Sequence, residues 1–181
     1  MPTFLYKGFN EEGLEVSGCK NFPDSKSMEE FLKKKKLSNI NIFKSKTKYS
    51  NGLFTYVTPK ELSIFCKQLS VMYFSDITLI EGIELISVQT ENKELKIALK
   101  EIGELMDKGY TFSESIRMYT NIFNSYLLNM ISIGEMSGTL VSVLSEMSLY
   151  YEKESKIRKR IKSALTYPLI LVGMMTAIII L

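Results

Sequence analysis

The chain ends in an apolar run, and this run constrains the fold more than any other feature. The 15 residues from Tyr167 to Leu181 contain no charge. A surface helix needs a polar face, whereas a transmembrane helix needs about 20 apolar residues. We therefore interpret 167–181 as the start of a transmembrane helix, so that either the chain is part of a longer protein or the membrane segment is partial. The alternative is a C-terminal helix buried in a soluble core.

A cluster of basic residues lies directly before the apolar run and predicts the orientation of the chain. Lysine and arginine beside a membrane segment mark its cytoplasmic side, so residues 1 to about 165 are expected in the cytoplasm. The cluster also suits attraction to anionic membrane lipids. Tyr167 is a suitable aromatic anchor at the interface, where Pro168 can kink the helix. The residues that we expect to set this topology are Lys156, Arg158, Lys159, Arg160 and Lys162.

Several function classes are excluded by what the chain lacks. Without any histidine, it cannot form Ser-His-Asp or Cys-His nucleophile pairs, histidine bases or most zinc sites. It contains no GxxxxGK[ST] or GxGxxG phosphate loop, and Cys19 and Cys66 are far apart, with no CxxC pair. The net charge of +3 is too small to indicate nucleic acid, and neither basic cluster contains the aromatic residues of a single-strand groove. We therefore expect no enzymatic activity, no cofactor and no direct nucleic-acid partner.

The first 43 residues carry the pattern of a small α/β hairpin region. Apolar residues in 3–9 and 14–19 predict two strands, and the turn between them places Gly13 where a positive φ is needed. A short helix is predicted over 28–36, and a third short strand over 40–43. The region is too small for confident independence as a domain.

Two polar stretches mark the limits of the predicted elements. Ser25 or Ser27 is expected to cap the short N-terminal helix. Residues 44–57 are rich in lysine, serine and asparagine and predict a linker. The linker separates the N-terminal region, 1–43, from a helical bundle over 58–166.

Helix start signals are dense from Thr58 onward and predict six helices. Pro59 suits the first helical position, and the last helix begins near Thr139 with no stop signal before the membrane segment, so that it runs for about 40 residues. Short turns between amphipathic helices are typical of a bundle. The predicted fold is mainly α: a six-helix cytoplasmic bundle with a small N-terminal α/β hairpin region and the start of a C-terminal transmembrane helix. Capping boxes are predicted at Thr58 with Glu61, Thr78 with Glu81 and Thr111 with Glu114.

Apolar periodicity also predicts which residues of the bundle face inward. Gly109 is placed to end the third helix in a left-handed conformation, and Asn124 is expected to cap the fifth. The inward face of the first bundle helix is assigned to Leu62, Phe65, Cys66, Leu69, Met72 and Tyr73.

The segment Gly-Glu-Met-Ser-Gly at 134–138 is the most distinctive motif. Its first glycine permits close backbone approach, and its second can end one helix before Thr139 caps the next. The glutamate follows an apolar stretch and has no obvious partner nearby in the sequence. Three interpretations stay open for it: a purely structural junction, an interface charge, or an oxygen ligand for a divalent cation such as calcium. The residues that we single out are Gly134, Glu135, Ser137 and Gly138.

The order of the motifs resembles that of a known family. A Phe-x-x-Gln-Leu helix at 65–69 comes first, then Gly-x-x-x-Ser-x-x-Ile at 109–116, then Gly-Glu-x-Ser-Gly-x-Leu at 134–140, and finally Tyr-Pro at 167–168. This order is similar to that of the inner-membrane platform protein of type II secretion and type IV pilus systems, the GspF/PilC family. The residues that we assign to packing of the first bundle helix are Thr58, Pro59, Phe65, Gln68 and Leu69.

The resemblance implies a scaffold without enzymatic activity at the bacterial inner membrane. Family members are thought to couple a hexameric assembly ATPase to pilin or pseudopilin subunits, alongside other inner-membrane components of secretion, pilus or competence machines. They usually contain two homologous bundles and three membrane helices, of which this chain covers the first bundle and the start of the first membrane helix. A homodimer or higher oligomer is plausible for such a scaffold.

One departure from the family pattern follows the first bundle helix. The family usually has a small residue and a glycine there, whereas this chain has Ser75-Asp76. Aspartate tolerates a left-handed backbone better than most residues, so the turn can be kept.

A membrane-tethered helical sensor or ligand-binding module is the alternative function. Such a module requires a concave site with convergent polar groups. The sequence alone identifies no such site.

Overall fold

The computed structural model describes residues 3–10, 13–22, 24–35, 37–44 and 56–180. Within them, the chain forms a three-stranded sheet with one helix, followed by six further α-helices and a short 3₁₀ turn. The prediction of a mainly α fold with a small N-terminal α/β region is confirmed.

The N-terminal region consists of β1 (Thr3–Phe9), β2 (Glu15–Asn21), α1 (Ser25–Lys34) and β3 (Ser38–Lys44), and its strands form an antiparallel sheet in the order β2-β1-β3. β1 lies in the centre and pairs with both neighbours. Of the predicted linker, residues 45–55 lie outside the described residues, and Val57 is buried in the core of the bundle.

Two local features of this region can be compared with the prediction. Gly13 has a φ of +75°, as the hairpin turn requires. The N-cap of α1 is Asp24, whose carboxylate accepts a hydrogen bond from the Ser27 amide at 2.9 Å. The assignment of this cap to Ser25 or Ser27 was therefore wrong. Hydrogen bonds from Ser27 hold the pKa of the Asp24 carboxyl below its ordinary value.

The sheet lies between α1 and the bundle because side chains alternate between its two faces. Phe4 and Tyr6 pack with Met28 and Leu32 of α1 in a small core. Leu5 points to the other face and belongs to the main core of the bundle. The N-terminal region is therefore anchored to the bundle by a buried apolar side chain.

The bundle helices begin where the local signals predict. Each of the three predicted capping boxes is formed, with the threonine hydroxyl accepting from the third amide and the glutamate accepting from the threonine amide. Asn124 caps α6 as predicted. The elements are α2 (Pro59–Phe74), α3 (Leu79–Gln89), α4 (Lys93–Asp107), α5 (Phe112–Ile116), the 3₁₀ turn (Arg117–Tyr119), α6 (Ser125–Ser137) and α7 (Leu140–Ile180).

The turns after α2 and α4 are left-handed. Asp76 has a φ of +62°, so aspartate adopts the conformation expected of it at the departure from the family pattern. Gly109 has a φ of +86°, which also agrees with the prediction. On α2 the inward assignment is correct for Leu62, Phe65, Cys66 and Leu69, which are buried, and for Met72, which is partly buried against the core. It is wrong for Tyr73, which is 39% exposed.

α7 starts as a core helix and then leaves the bundle. Among the side chains of α7 that the structure describes, Tyr151 is the last buried one, and those of 152–164 are exposed or half-buried. Its backbone continues as one helix to Ile180, while the side chains of Tyr167 and Pro168 lie outside the described part. None of the helices in the described part of the chain carries an apolar stretch long enough to cross a membrane.

Candidate functional site

The Gly-Glu-Met-Ser-Gly segment forms the last turn of α6 and its link to α7. Gly138 is left-handed, with a φ of +71°. The Thr139 amide donates to the Gly134 carbonyl at 2.8 Å, and the Gly138 amide donates to the Glu135 carbonyl at 3.4 Å. This is the hydrogen-bond pattern of a Schellman motif, which satisfies carbonyls at the end of a helix. Gly138 therefore ends α6 and redirects the chain into α7.

Gly134 sets the distance between α6 and α7. A Cβ atom at this position would lie 3.0 Å from Cγ2 of Val143 and 3.2 Å from Cα of Leu140. Both contacts are tighter than ordinary van der Waals packing. The two helices therefore approach closely only because Gly134 has no side chain.

Ser137 stabilises the same turn. Its hydroxyl donates to the Ile133 carbonyl at 2.8 Å and lies 2.7 Å from the hydroxyl of Thr139. Beside it, the apolar side chains of Met136 and Ile133 are 86% and 59% exposed. The junction is therefore tightly hydrogen bonded inside and apolar outside.

Glu135 connects the junction to α5. Its two carboxylate oxygens accept hydrogen bonds from the backbone amides of Phe112 at 2.8 Å and Ser113 at 2.9 Å. These are the first amides of α5, which have no partner within their own helix. A negative charge is favourable at this end of a helix. The half-buried glutamate therefore holds the start of α5 against the end of α6.

This geometry bears on the three interpretations of Glu135. Hydrogen bonds within the chain already engage both oxygens, which favours the structural interpretation. Calcium takes about six to eight oxygen ligands, and within the described part of the chain no group of three or more Asp, Glu, Cys or His residues could hold a metal. The interface charge and the calcium ligand stay predictions that these contacts do not test.

The first-helix motif packs against α3 and against the loop that precedes α6. Phe65 is buried and its ring lies 5.8 Å from that of Phe123. Leu69 is fully buried, and a Cβ atom at Gly82 of α3 would lie 3.1 Å from its Cδ1. Gln68 is half-buried, and its amide donates to the side chain of Gln89 at 3.3 Å.

The start of α2 is also connected to α4. The Glu61 carboxylate accepts from the backbone amide and hydroxyl of Thr58 at 2.6 and 2.7 Å and from the side-chain amide of Asn92 at 3.0 Å. Pro59 is buried at the first helical position. Burial alone would raise the pKa of the Glu61 carboxyl, but the hydrogen bonds outweigh it and hold the pKa below its ordinary value.

Two buried serines join α2 to α7. The hydroxyl of Ser63 donates to the Ser148 carbonyl at 2.9 Å, and that of Ser70 donates to the Val141 carbonyl at 3.0 Å. Sequence reasoning missed them. The available signal was two serines seven residues apart on an otherwise apolar helix face, a spacing that brings both toward the same neighbour.

Two buried polar pairs were also missed. The Tyr119 hydroxyl donates to the carboxylate of Glu101, which is 7% exposed. The Tyr151 hydroxyl donates at 2.9 Å to the Asn124 side chain that caps α6, and burial raises the pKa of the Tyr151 hydroxyl. Each pair ties together elements that are distant in sequence.

A groove lined by both polar and apolar residues lies between the sheet and the bundle. Its volume is about 700 Å³, which is in the size range of small-molecule sites. No local pattern of residues predicted this groove, because its walls come from separate segments of the chain. Its lining includes Ser17, Lys20, Ser113, Arg117, Asn129 and Ser132.

The predicted topology residues lie on the part of α7 beyond the bundle. Lys156 pairs with Glu152 at 2.6 Å, and Arg158 pairs with Glu154. Arg158 also contacts the hydroxyl of Tyr56 at 3.4 Å. The remaining residues of this group are exposed; they are Lys159, Arg160 and Lys162.

Comparison with known proteins identifies related sequences. A family model described as type II secretion system (T2SS), protein F, matches residues 65–181. The type IV pilus assembly protein PilC of Thermus thermophilus is 29% identical over 179 residues, covering 94% of this chain and 43% of that protein. Type II secretion system protein F of Vibrio cholerae is 25% identical over 178 residues, covering 95% of this chain and 44% of that protein. The chain thus spans less than half the length of these relatives.

Proposed function

The chain belongs to the family of type II secretion system protein F, and we propose that it is part of a platform without enzymatic activity at the bacterial inner membrane. The platform would serve a type II secretion, type IV pilus or competence machine. Residues 1 to about 165 would lie in the cytoplasm, as their basic flank predicts. The observation that supports this most is the continuity of α7, which is both a core helix of the bundle and the carrier of the apolar run.

The same continuity provides a mechanism for mechanical coupling. A helix of 41 residues extends for about 60 Å, so a movement of its packed half shifts its distal half. α2 holds α7 through the hydroxyls of Ser63 and Ser70, and α6 holds it where Gly134 meets Val143. A displacement applied to the bundle by a hexameric assembly ATPase would thereby reach pilin or pseudopilin subunits at the membrane.

Partner contacts require surfaces that the bundle leaves uncovered. Large apolar side chains are exposed on several helices, including Phe74 at 78%, Val88 at 73% and Met136 at 86%. Such residues suit contacts with the ATPase, with other membrane components or with further copies of the chain. Homodimers or higher oligomers are therefore part of the proposal.

Cross-linking in the native cell tests the proposal. The full-length product of the gene would be cross-linked in its own membrane, purified and analysed by mass spectrometry beside an unrelated inner-membrane protein with the same tag. We expect a hexameric assembly ATPase and pilin-like subunits only in the first sample. A membrane preparation that lacks both would contradict the proposal.

A membrane-tethered ligand-binding module is the second candidate, and the groove of about 700 Å³ favours it. The polar residues of its lining include Ser17, Asn129 and Ser132. Native mass spectrometry of the purified protein would reveal a retained small molecule, and Asn129→Leu would remove it. A groove that retains no small molecule would leave the platform as the better account.

A further inference from the structure

We propose that Lys159 and Arg160 bind the phosphates of anionic phospholipids in the cytoplasmic leaflet, whereas the cations nearer the bundle on the same helix do not. This inference rests on the proposed function, in that α7 must enter a membrane. It assigns different roles to basic residues that lie in one cluster of the sequence, 153–162.

The first argument is the position of each cation along α7. Lys159 and Arg160 lie eight and seven residues before Tyr167, which corresponds to about 12 and 10 Å along the helix axis. Each headgroup layer is about 5–8 Å thick. With the apolar run beginning at the hydrocarbon boundary, both side chains start a few ångströms outside the headgroups and can reach the phosphates.

Lys153 and Lys156 are too distant for the same contact. They lie about 21 and 16 Å from Tyr167 along the axis. Lys153 is therefore more than one Debye length, about 8 Å at physiological salt, beyond the headgroup layer. Ions in solution screen most of its attraction to the membrane.

The second argument is the local charge. Glu152 lies 2.6 Å from Lys156, and Glu154 pairs with Arg158. These carboxylates offset the two cations that face them. The positive charge of the described part of α7 is therefore greatest toward its membrane-proximal end, where Lys159 and Arg160 follow in succession.

The third argument is direction. Successive residues of an α-helix project about 100° apart, so Lys159 and Arg160 point to different sides of α7. Both are exposed. A groove on a protein partner would contact one side of the helix, whereas a headgroup layer surrounds it. Arginine and lysine both bind phosphate oxygens well.

The test uses the whole chain reconstituted in vesicles of equal parts phosphatidylglycerol and phosphatidylcholine. Electron paramagnetic resonance of spin-labelled lipids gives the preference of the protein's first lipid shell for phosphatidylglycerol. Two double variants remove the same charge from the same helix: K159Q/R160Q, and K153Q/K156Q as the matched control. Circular dichroism confirms that both keep the helical content of the wild type.

We expect the wild type to prefer phosphatidylglycerol and K159Q/R160Q to lose most of that preference, while Lys162, which both variants keep, accounts for the remainder. A cation near the surface contributes about 1 kcal/mol, a factor of about five. The control should stay within about twofold of the wild type because its cations are screened. Equal losses in both variants, or no preference in the wild type, would overturn the proposal. So would an unchanged lipid preference in K159Q/R160Q.

The experiment separates this inference from the proposed function. A wild-type chain that incorporates into vesicles without lipid preference contradicts only the inference. A chain that does not incorporate at all contradicts the membrane entry of α7 and the inference with it.

Discussion

Replacing Glu135 by alanine should destabilise the bundle, because α5 would lose two acceptors at its start. Hydrogen bonds to a charged group contribute about 1.5–3 kcal/mol each. Glu135 is only half-buried, so water can replace part of what is lost at the amides of Phe112 and Ser113. We therefore expect a total loss of about 2 kcal/mol in the free energy of unfolding, which corresponds to about 4–8 °C in Tm for a chain of this size.

Glutamine at the same position provides a graded comparison. Glu135→Gln keeps the size of the side chain and one acceptor oxygen. Its NH2 group, however, replaces the second acceptor and cannot accept a hydrogen bond from the backbone N–H that faces it. The expected loss is about 1 kcal/mol. Glu146→Ala, at an exposed position on α7, is the control and should lie within about 0.5 kcal/mol of the wild type.

Urea unfolding in detergent, followed by circular dichroism, gives these free energies. The assay should be paired with cross-linking of the untruncated protein to its partners in the cell. Wild-type stability of Glu135→Ala combined with a loss of partner cross-links would falsify the structural role and assign Glu135 to an interface. Reduced stability with partner cross-links retained would support the connection between α5 and α6.

Three further predictions concern packing, pH and thiol reactivity. Gly134→Ala should lower the free energy of unfolding by about 1–3 kcal/mol, because its Cβ would lie 3.0 Å from Cγ2 of Val143. The double variant with Val143→Ala should recover part of the lost stability. Urea unfolding of the single and double variants measures both values. The pKa of Glu61 is lowered from 4.5 in the folded state, so its ionised carboxylate stabilises the fold above pH 4.5, and this contribution is lost as the pH falls through the folded-state pKa. Glu61→Gln should therefore be less stable than the wild type by less than about 1 kcal/mol at neutral pH, and this difference should shrink below pH 4.5. A difference that stays constant with pH would contradict this. Burial raises the pKa of the Cys66 thiol to about 12, so its alkylation at neutral pH should require unfolding. A Cys19→Ser variant leaves Cys66 as the remaining cysteine for this measurement. Rapid alkylation of the folded variant would refute the prediction.

The local signals of the sequence predicted the helix starts well. A capping box such as Thr58 with Glu61 lies within one turn, so its geometry hardly depends on the rest of the fold. The same holds for the left-handed turn at Asp76, which follows from the backbone preference of aspartate. Competition between nearby groups was harder to predict: Asp24 caps α1 in place of the two serines, and its ionised carboxylate is the stronger acceptor.

The contacts of the candidate site depend on tertiary structure. Glu135 accepts hydrogen bonds from amides that lie 22 and 23 residues earlier in the chain. A local sequence pattern cannot predict a contact over that separation. The serine contacts between α2 and α7 span 85 and 71 residues. The inward assignment of Tyr73 was wrong because helical periodicity gives the apolar face but not where the neighbouring helix ends.

Deletion of the gene in its own cell tests the central claim most directly. Surface pili, secreted proteins and DNA uptake would be measured in the deletion strain and in the same strain carrying the untruncated gene. The account predicts that at least one of these activities is lost and that the gene restores it. Wild-type levels of all three in the deletion strain would contradict a platform function.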